Sequence, residues 1–247
     1  MNFDFSEDQK YLAGEARKFL SAECPTSEVR KVLNDDKVAY HKDLWKKVGE
    51  MGWLGAAIPE EHGGLGLGML EMCVLAEEMG RAIAPVPFAS TAYYLTEAVK
   101  LAGSDKQKAA ILPQIAAGEV IGAYAASEGP GAPDASNIRT TFDGKTLTGT
   151  KIPVTDGDIA THAVVLAKEG KGLELVLVDL SAKGVSRKVV QTIDPTRSHA
   201  EITFDGAPAE RLGAKGDGER LNTELLDRVA VLLAFEQLGR AERELDL

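Results

Sequence analysis

The apolar residues of this chain change their spacing twice, and that change limits the available folds more than any other feature. Before Gly118 they recur three and four residues apart: Leu12, Ala16, Phe19 and Leu20, then Leu44, Val48 and Met51 with Trp45 beside them, then Phe88, Ala92, Leu95 and Val99. Such spacing lines one face of a helix. Between Gly118 and Gly213 the apolar runs shorten to residues 163–167, 173–178 and 200–204, separated by turns bearing Gly and Lys, which is the pattern of strands. After the Gly-rich break at residues 213–218 the helical spacing returns, with Leu225, Val229 and Leu232 on one face. The expected class is α+β: a helical domain over residues 1–117, a β-barrel or sandwich domain over 118–213, and a helix over 219–247 that begins a further helical bundle of which most is missing.

Local signals refine this outline. Ser6 with Gln9 makes a capping box, and Pro25 ends the helix that follows. Residues 52–59 read as an extended lead-out from the Leu44 helix, 69–79 as a buried helix, and 104–117 as the last helix of the set. Asp143-Gly144 predicts a hairpin with a type I′ turn, both residues at positive φ. Trp45 and Trp53 read as core anchors with an indole N–H to satisfy. Adjacent Glu77 and Glu78 read as a solvated helix face. The last helix lacks a Gly or Pro stop, so its apolar face over 225–233 is expected to seek a partner outside the chain.

Composition closes off several functions. The 247 residues carry a formal charge of −10, which argues against binding phosphate backbones. No apolar run approaches the ~20 residues of a membrane helix, and the first residues are acidic instead of basic. Cys24 and Cys73 have no paired spacing, so neither a disulfide scaffold nor a metal site is predicted, and a cytoplasmic setting is expected. His41, His62, His162 and His199 show no ligand spacing. Residues 63–68, Gly-Gly-Leu-Gly-Leu-Gly, read as a turn, since no strand precedes them to form a phosphate loop. Ser127 lacks the Gly-x-Ser-x-Gly elbow of a hydrolase.

Two segments carry the chemistry. Ala123-Tyr-Ala-Ala-Ser-Glu-Gly-Pro-Gly-Ala-Pro-Asp134 is a short strand running into a Gly/Pro loop, and Gly149-Thr-Lys-Ile-Pro-Val-Thr-Asp-Gly157 is a second strand that ends near Thr155 and Asp156. Together they resemble the flavin-facing loop and strand of acyl-CoA dehydrogenases, with Ser127 for the family's threonine, Pro133 for a serine and Pro153 for an aromatic residue. Further stretches resemble family landmarks in order: Phe3-Asp-Phe-Ser-Glu-Asp-Gln, Trp53-Leu-Gly, Pro59-Glu-Glu-His-Gly-Gly-Leu-Gly, Glu77-Glu-Met-Gly-Arg, Pro85-Val-Pro-Phe and, near the end, Ala234-Phe-Glu-Gln-Leu-Gly-Arg-Ala-Glu.

The resemblance implies an FAD-dependent oxidoreductase that desaturates an acyl-CoA thioester and passes electrons to an acceptor protein, working as a homo- or hetero-oligomer. It implies that backbone groups of Tyr124, Ala126, Ser127 and Val154, with the Ser127 and Thr155 hydroxyls, address the flavin, while Glu128 and Asp134 shape the loop. The family's catalytic carboxylate belongs to the missing helical domain, so no catalytic residue is assigned. Pro133 and Pro153 keep open a second reading, a noncatalytic, cofactor-poor partner subunit of a heteromeric dehydrogenase.

Overall fold

A computed structural model describes residues 4–35, 38–194 and 196–246. Met1, Phe3 and Leu247, which bound the expected segments and the opening motif, lie outside the described residues. Helix α1 (Glu7–Glu23) starts at the Ser6–Gln9 capping box and stops two residues before Pro25, with Cys24 as its C-cap. Next come α2 (Thr26–Leu33), α3 (Lys42–Glu50), α4 (Met69–Ala82), a π-helical stretch (Ala89–Leu95) continuous with α5 (Thr96–Ala102), and α6 (Asp105–Ala116), capped by Ser104. Both tryptophans anchor the core as expected: Trp45 Nε1 donates to the Gly118 carbonyl at 3.1 Å, and Phe19 meets Trp53 edge-on at 5.1 Å.

Strands β1 (Gly122–Ala125), β2 (Thr141–Phe142), β3 (Thr146–Thr155), β4 (His162–Glu169), β5 (Gly172–Asp179), β6 (Val185–Val189), β7 (His199–Pro208) and β8 (Glu210–Leu212) form one sheet. Its order is β6-β7-β3-β2-β4-β5-β8, with β1 parallel to β4. β1 touches β3 and β5 touches β7 although neither pair is hydrogen-bonded, so the sheet folds over on itself as a barrel or sandwich does. Residues 163–167 of β4 and 173–178 of β5 are buried without alternation, because both faces of these strands are covered. The helices place β1 directly: the Thr91 hydroxyl accepts the Gly122 N–H at 2.9 Å, and a Cβ at Gly122 would lie 2.5 Å from Leu95 Cβ.

The last helix, α7 (Gly218–Leu245), packs lengthwise on α4. A Cβ on Gly80 would stand 1.9 Å from the Glu236 carbonyl oxygen, and one on Gly239 would stand 1.9 Å from that of Glu77. Backbone therefore meets backbone at this crossing, which only glycine permits.

Several expectations need correction. Residues 52–59 are not extended: Gly52 takes φ 75° and a 3₁₀ turn (Trp53–Gly55) follows, because the loop at 64–67 folds back to hydrogen-bond with Gly55, Ala56 and Ile58. The predicted hairpin between β2 and β3 forms, but Gly144 has positive φ and Asp143 does not. Asp143 instead caps the turn with its carboxylate, accepting from the Lys145 and Thr146 amides at 2.9 and 2.7 Å. Glu78 is not solvated; it is 2 % exposed and paired with Arg17 at 2.6 Å. Within the 225–233 stretch Leu225, Val229 and Leu232 are buried inside this chain, while Val231 is 45% exposed.

Gly239→Ala is expected to lower the unfolding free energy by about 1–3 kcal/mol or more through overpacking at the crossing. Gly14→Ala, where a Cβ meets nothing within 4 Å on exposed helix, is expected to raise it by up to ~1 kcal/mol. Urea unfolding midpoints of the two variants check both signs.

Candidate functional site

The two lips picked out in the sequence are joined at their roots by a buried cation. Lys151 on β3 has no solvent exposure, and its ammonium donates to the Ala126 carbonyl at 3.0 Å and to Glu128 Oε1 at 2.7 Å. Glu128 also accepts the Arg139 and Thr140 amides at 2.7 and 2.9 Å. One carboxylate thus closes the loop from 128 to 140, and one ammonium ties that loop to β3. Burial pushes the Lys151 amine down against the pull of Glu128. Burial also works to raise Glu128, but Lys151 and the Thr140 amide outweigh it and hold the carboxyl below its ordinary range. A backbone bridge completes the joint: Ile152 N–H donates to Ser127 O at 2.9 Å and Gly129 N–H to Ile152 O at 3.0 Å.

The candidate residues divide into those turned inward and those left open. Tyr124 is committed: its hydroxyl donates to Asn222 Oδ1 of α7 at 2.6 Å, and its ring stacks on Tyr94 at 4.9 Å. Burial, with Tyr94 beside it, pushes its phenol well above the ordinary range. The Ala126 carbonyl is spent on Lys151, and the Val154 side chain lies fully in the core, so Val154 has only backbone to offer. Ser127 is half-buried and Thr155 exposed, and neither hydroxyl makes a side-chain hydrogen bond within the described residues. Pro153 is exposed between them. Asp156 turns into the core at φ 57° and accepts the Ser90 hydroxyl at 2.6 Å. Asp134, like Glu128, shapes the loop, taking the Ser136 and Asn137 amides at 2.7 and 3.2 Å.

Beyond the lips, Gly129 and Gly131 take φ of 124° and 101°, and a Cβ on Gly129 would meet nothing within 4 Å. Open, positive-φ glycines let a planar ligand approach backbone closely. Clefts of 410 and 370 Å³ lie along α6, sharing Gln107 and Glu210, and contain no lip residue. Among the described residues no three His, Cys, Asp or Glu side chains converge as metal ligands, and no helix is long and apolar enough to cross a membrane. Asn222, Tyr94 and Ser90 escaped the sequence reading, since no short spacing links a residue to a partner 98 positions away.

Residues 6–119 match the model of the acyl-CoA dehydrogenase N-terminal domain. Acryloyl-CoA reductase (NADH) of Anaerotignum propionicum is 30% identical over 264 residues, covering 100% of this chain and 66% of that protein. The chain belongs to the acyl-CoA dehydrogenase family. Two solved structures agree with this acyl-CoA dehydrogenase fold. The Tcur3481-Tcur3483 steroid ACAD superposes with TM-score 0.85 at 31% identity, over 96% of this chain and 64% of that one. An acyl-CoA dehydrogenase from Bacillus anthracis, solved with FAD, gives 0.86 at 26% identity, over 97% and 43%. The chain therefore spans roughly two thirds or less of these relatives' length.

Lys151→Met is expected to destabilise the fold by about 3–5 kcal/mol, because it leaves the Glu128 carboxylate and Ala126 carbonyl without their cation. Glu128 titrates lower folded than unfolded, so its contribution is present above the unfolded value and lost as pH falls through the folded one. Glu128→Gln should accordingly flatten the stability profile below about pH 4.3. Denaturant titrations across that range measure both effects.

Proposed function

We propose that this chain supplies the helical domain, the flavin-facing β-domain and the first C-terminal helix of an FAD-dependent acyl-CoA dehydrogenase. The observation that carries this reading is the pair of hydroxyls, Ser127 and Thr155, left without partners on neighbouring segments that Lys151 clamps together. Free donors on a rigid base suit the polar edge of a flavin ring. Ala126, Ser127 and Val154 would add backbone groups beside them, and the open glycines at 129 and 131 leave room for the ring. FAD supplies a two-electron acceptor for hydride leaving the β-carbon of an acyl-CoA thioester. A relative solved with FAD, together with relatives named as an acryloyl-CoA reductase and a steroid ACAD, supports an acyl-CoA oxidoreductase. Electrons then pass to an acceptor protein, and the active form is an oligomer.

No carboxylate at the lips is placed to take the substrate's α-proton. Glu128 is held by Lys151 and two amides, and Asp156 by Ser90 inside the core. The proton-abstracting base therefore comes from elsewhere in the complete assembly. One observation favours the noncatalytic reading: exposed Pro153 stands where the family has an aromatic wall, and a pyrrolidine ring offers neither stacking nor an N–H.

Flavin titration separates the two readings. Ser127→Ala and Thr155→Val are each expected to weaken FAD binding by a few-fold, the equivalent of one hydrogen bond worth about 0.5–1.5 kcal/mol, and to shift the flavin absorbance without altering the thermal midpoint. Pro153→Trp should tighten it. Identical FAD spectra and affinities in all three variants and the parent would move the assignment to the noncatalytic subunit.

A further inference from the structure

Three parts of the chain meet at a buried group of charges that the lips do not use. Arg197, on the approach to β7, sends its guanidinium into the helices, where Nη1 donates to the Val86 carbonyl at 2.6 Å and Nη2 to Glu236 Oε1 of α7 at 3.1 Å. Arg240, one turn further along α7, donates to the same oxygen at 3.1 Å. Asp156, one residue past the end of β3, acts with Glu236 to hold that guanidinium charged against its burial. It is buried in the left-handed region, where its carboxylate accepts the Ser90 hydroxyl and its N–H donates to the Ser198 carbonyl at 2.8 Å. Tyr93 Oη, Ser198 Oγ, Glu236 Oε2 and Arg240 Nε are buried on the same residues and their neighbours without a hydrogen-bond partner among the described residues.

We infer that Arg197 is a positioning residue that couples the seating of α7 to the strand end carrying Thr155. Asp156 directly follows Thr155, so a shift of the guanidinium acts on that strand end through one peptide unit. Glu236 sits at the helix crossing, its carbonyl against Gly80, so the same shift loosens α7 on α4. The planar fork of the arginine holds Val86 and Glu236 on two different nitrogens in one fixed geometry. The consequence for flavin rests on the reading of Thr155 given above, whereas the coupling itself does not.

Hydrogen exchange on the flavin-free chain tests the coupling independently of that reading. In Arg197→Met, the amides of Asp156 and Gly157 and those of residues 233–240 are expected to exchange at least ~10-fold faster together, with the β4–β5 ladder unchanged. Asp156→Asn keeps a residue that tolerates positive φ and removes only the charge facing Arg197, so it decides the matter if the first variant does not fold. No hydrogen bond joins Asp156 to α7, yet Asp156→Asn is expected to speed exchange at residues 233–240 as well. Faster exchange confined to one of the two segments overturns the inference, as does an unchanged pattern or an equal rise throughout the β4–β5 ladder.

Discussion

The contact between the backbones of α4 and α7 is the constraint on which the arrangement of the molecule depends. Gly80 and Gly239 bring the two helices so close that each presents its missing side chain to a carbonyl of the other. Charged groups then secure the helix: Arg81 of α4 pairs with Glu242 and Asp246 at the rim of the crossing, and Arg228 of α7 reaches Glu97 of α5 at 3.3 Å. At its other end α7 meets the sheet, where a Cβ on Gly218 would lie 2.2 Å from the Leu173 carbonyl and buried Glu174 accepts the Gly216 amide at 2.7 Å. One helix therefore lies against both the helical part and the β part, and the relation between them follows from its two glycine contacts.

That relation places the two lips. β1 is set by the π-helical stretch through Thr91 and Gly122, and its Tyr124 is tied to α7 through Asn222. β3 is set against β1 by Lys151, a cation with no exposed surface that holds the Ala126 carbonyl and Glu128, while Glu128 in turn holds the loop amides of Arg139 and Thr140. A buried ion pair adds little net stability over an apolar substitute. It does, however, fix a single register for a loop that contains two glycines and two prolines within five residues. The polar groups used in that framework face inward, and the hydroxyls of Ser127 and Thr155 make no side-chain hydrogen bond among the described residues.

Much of the fold was legible because its signals are local. The Ser6 and Ser104 caps, the strand patterns of β4, β5 and β7, and the helical spacing after residue 218 each lie within a few residues of sequence. The elements that escaped are those whose reasons lie elsewhere in the chain. β6 is an exposed edge strand, Val-Ser-Arg-Lys-Val, with no buried face to impose alternation. β8 is three residues long and exists through its pairing with β5. Residues 52–59 curl instead of extending because the 64–67 loop returns to claim their carbonyls. Glu78 looked like a solvated charge until Arg17 of another helix was placed beside it.

The sequence by itself determined the order of helical and β segments, the ends of the capped helices and the identity of the lip residues, since periodicity, caps and turn residues act over one or two turns of chain. It also carried the family, through motifs that keep their order along the chain. Only the tertiary structure decided which polar groups are committed. Whether Tyr124, Glu128, Asp156 or Arg197 is free or bound depends on partners drawn from segments up to about a hundred residues away, and burial of a charge is a property of the assembled core. The same holds for α7, whose Leu225, Val229 and Leu232 read identically whether they stand open or, as here, are buried within the chain.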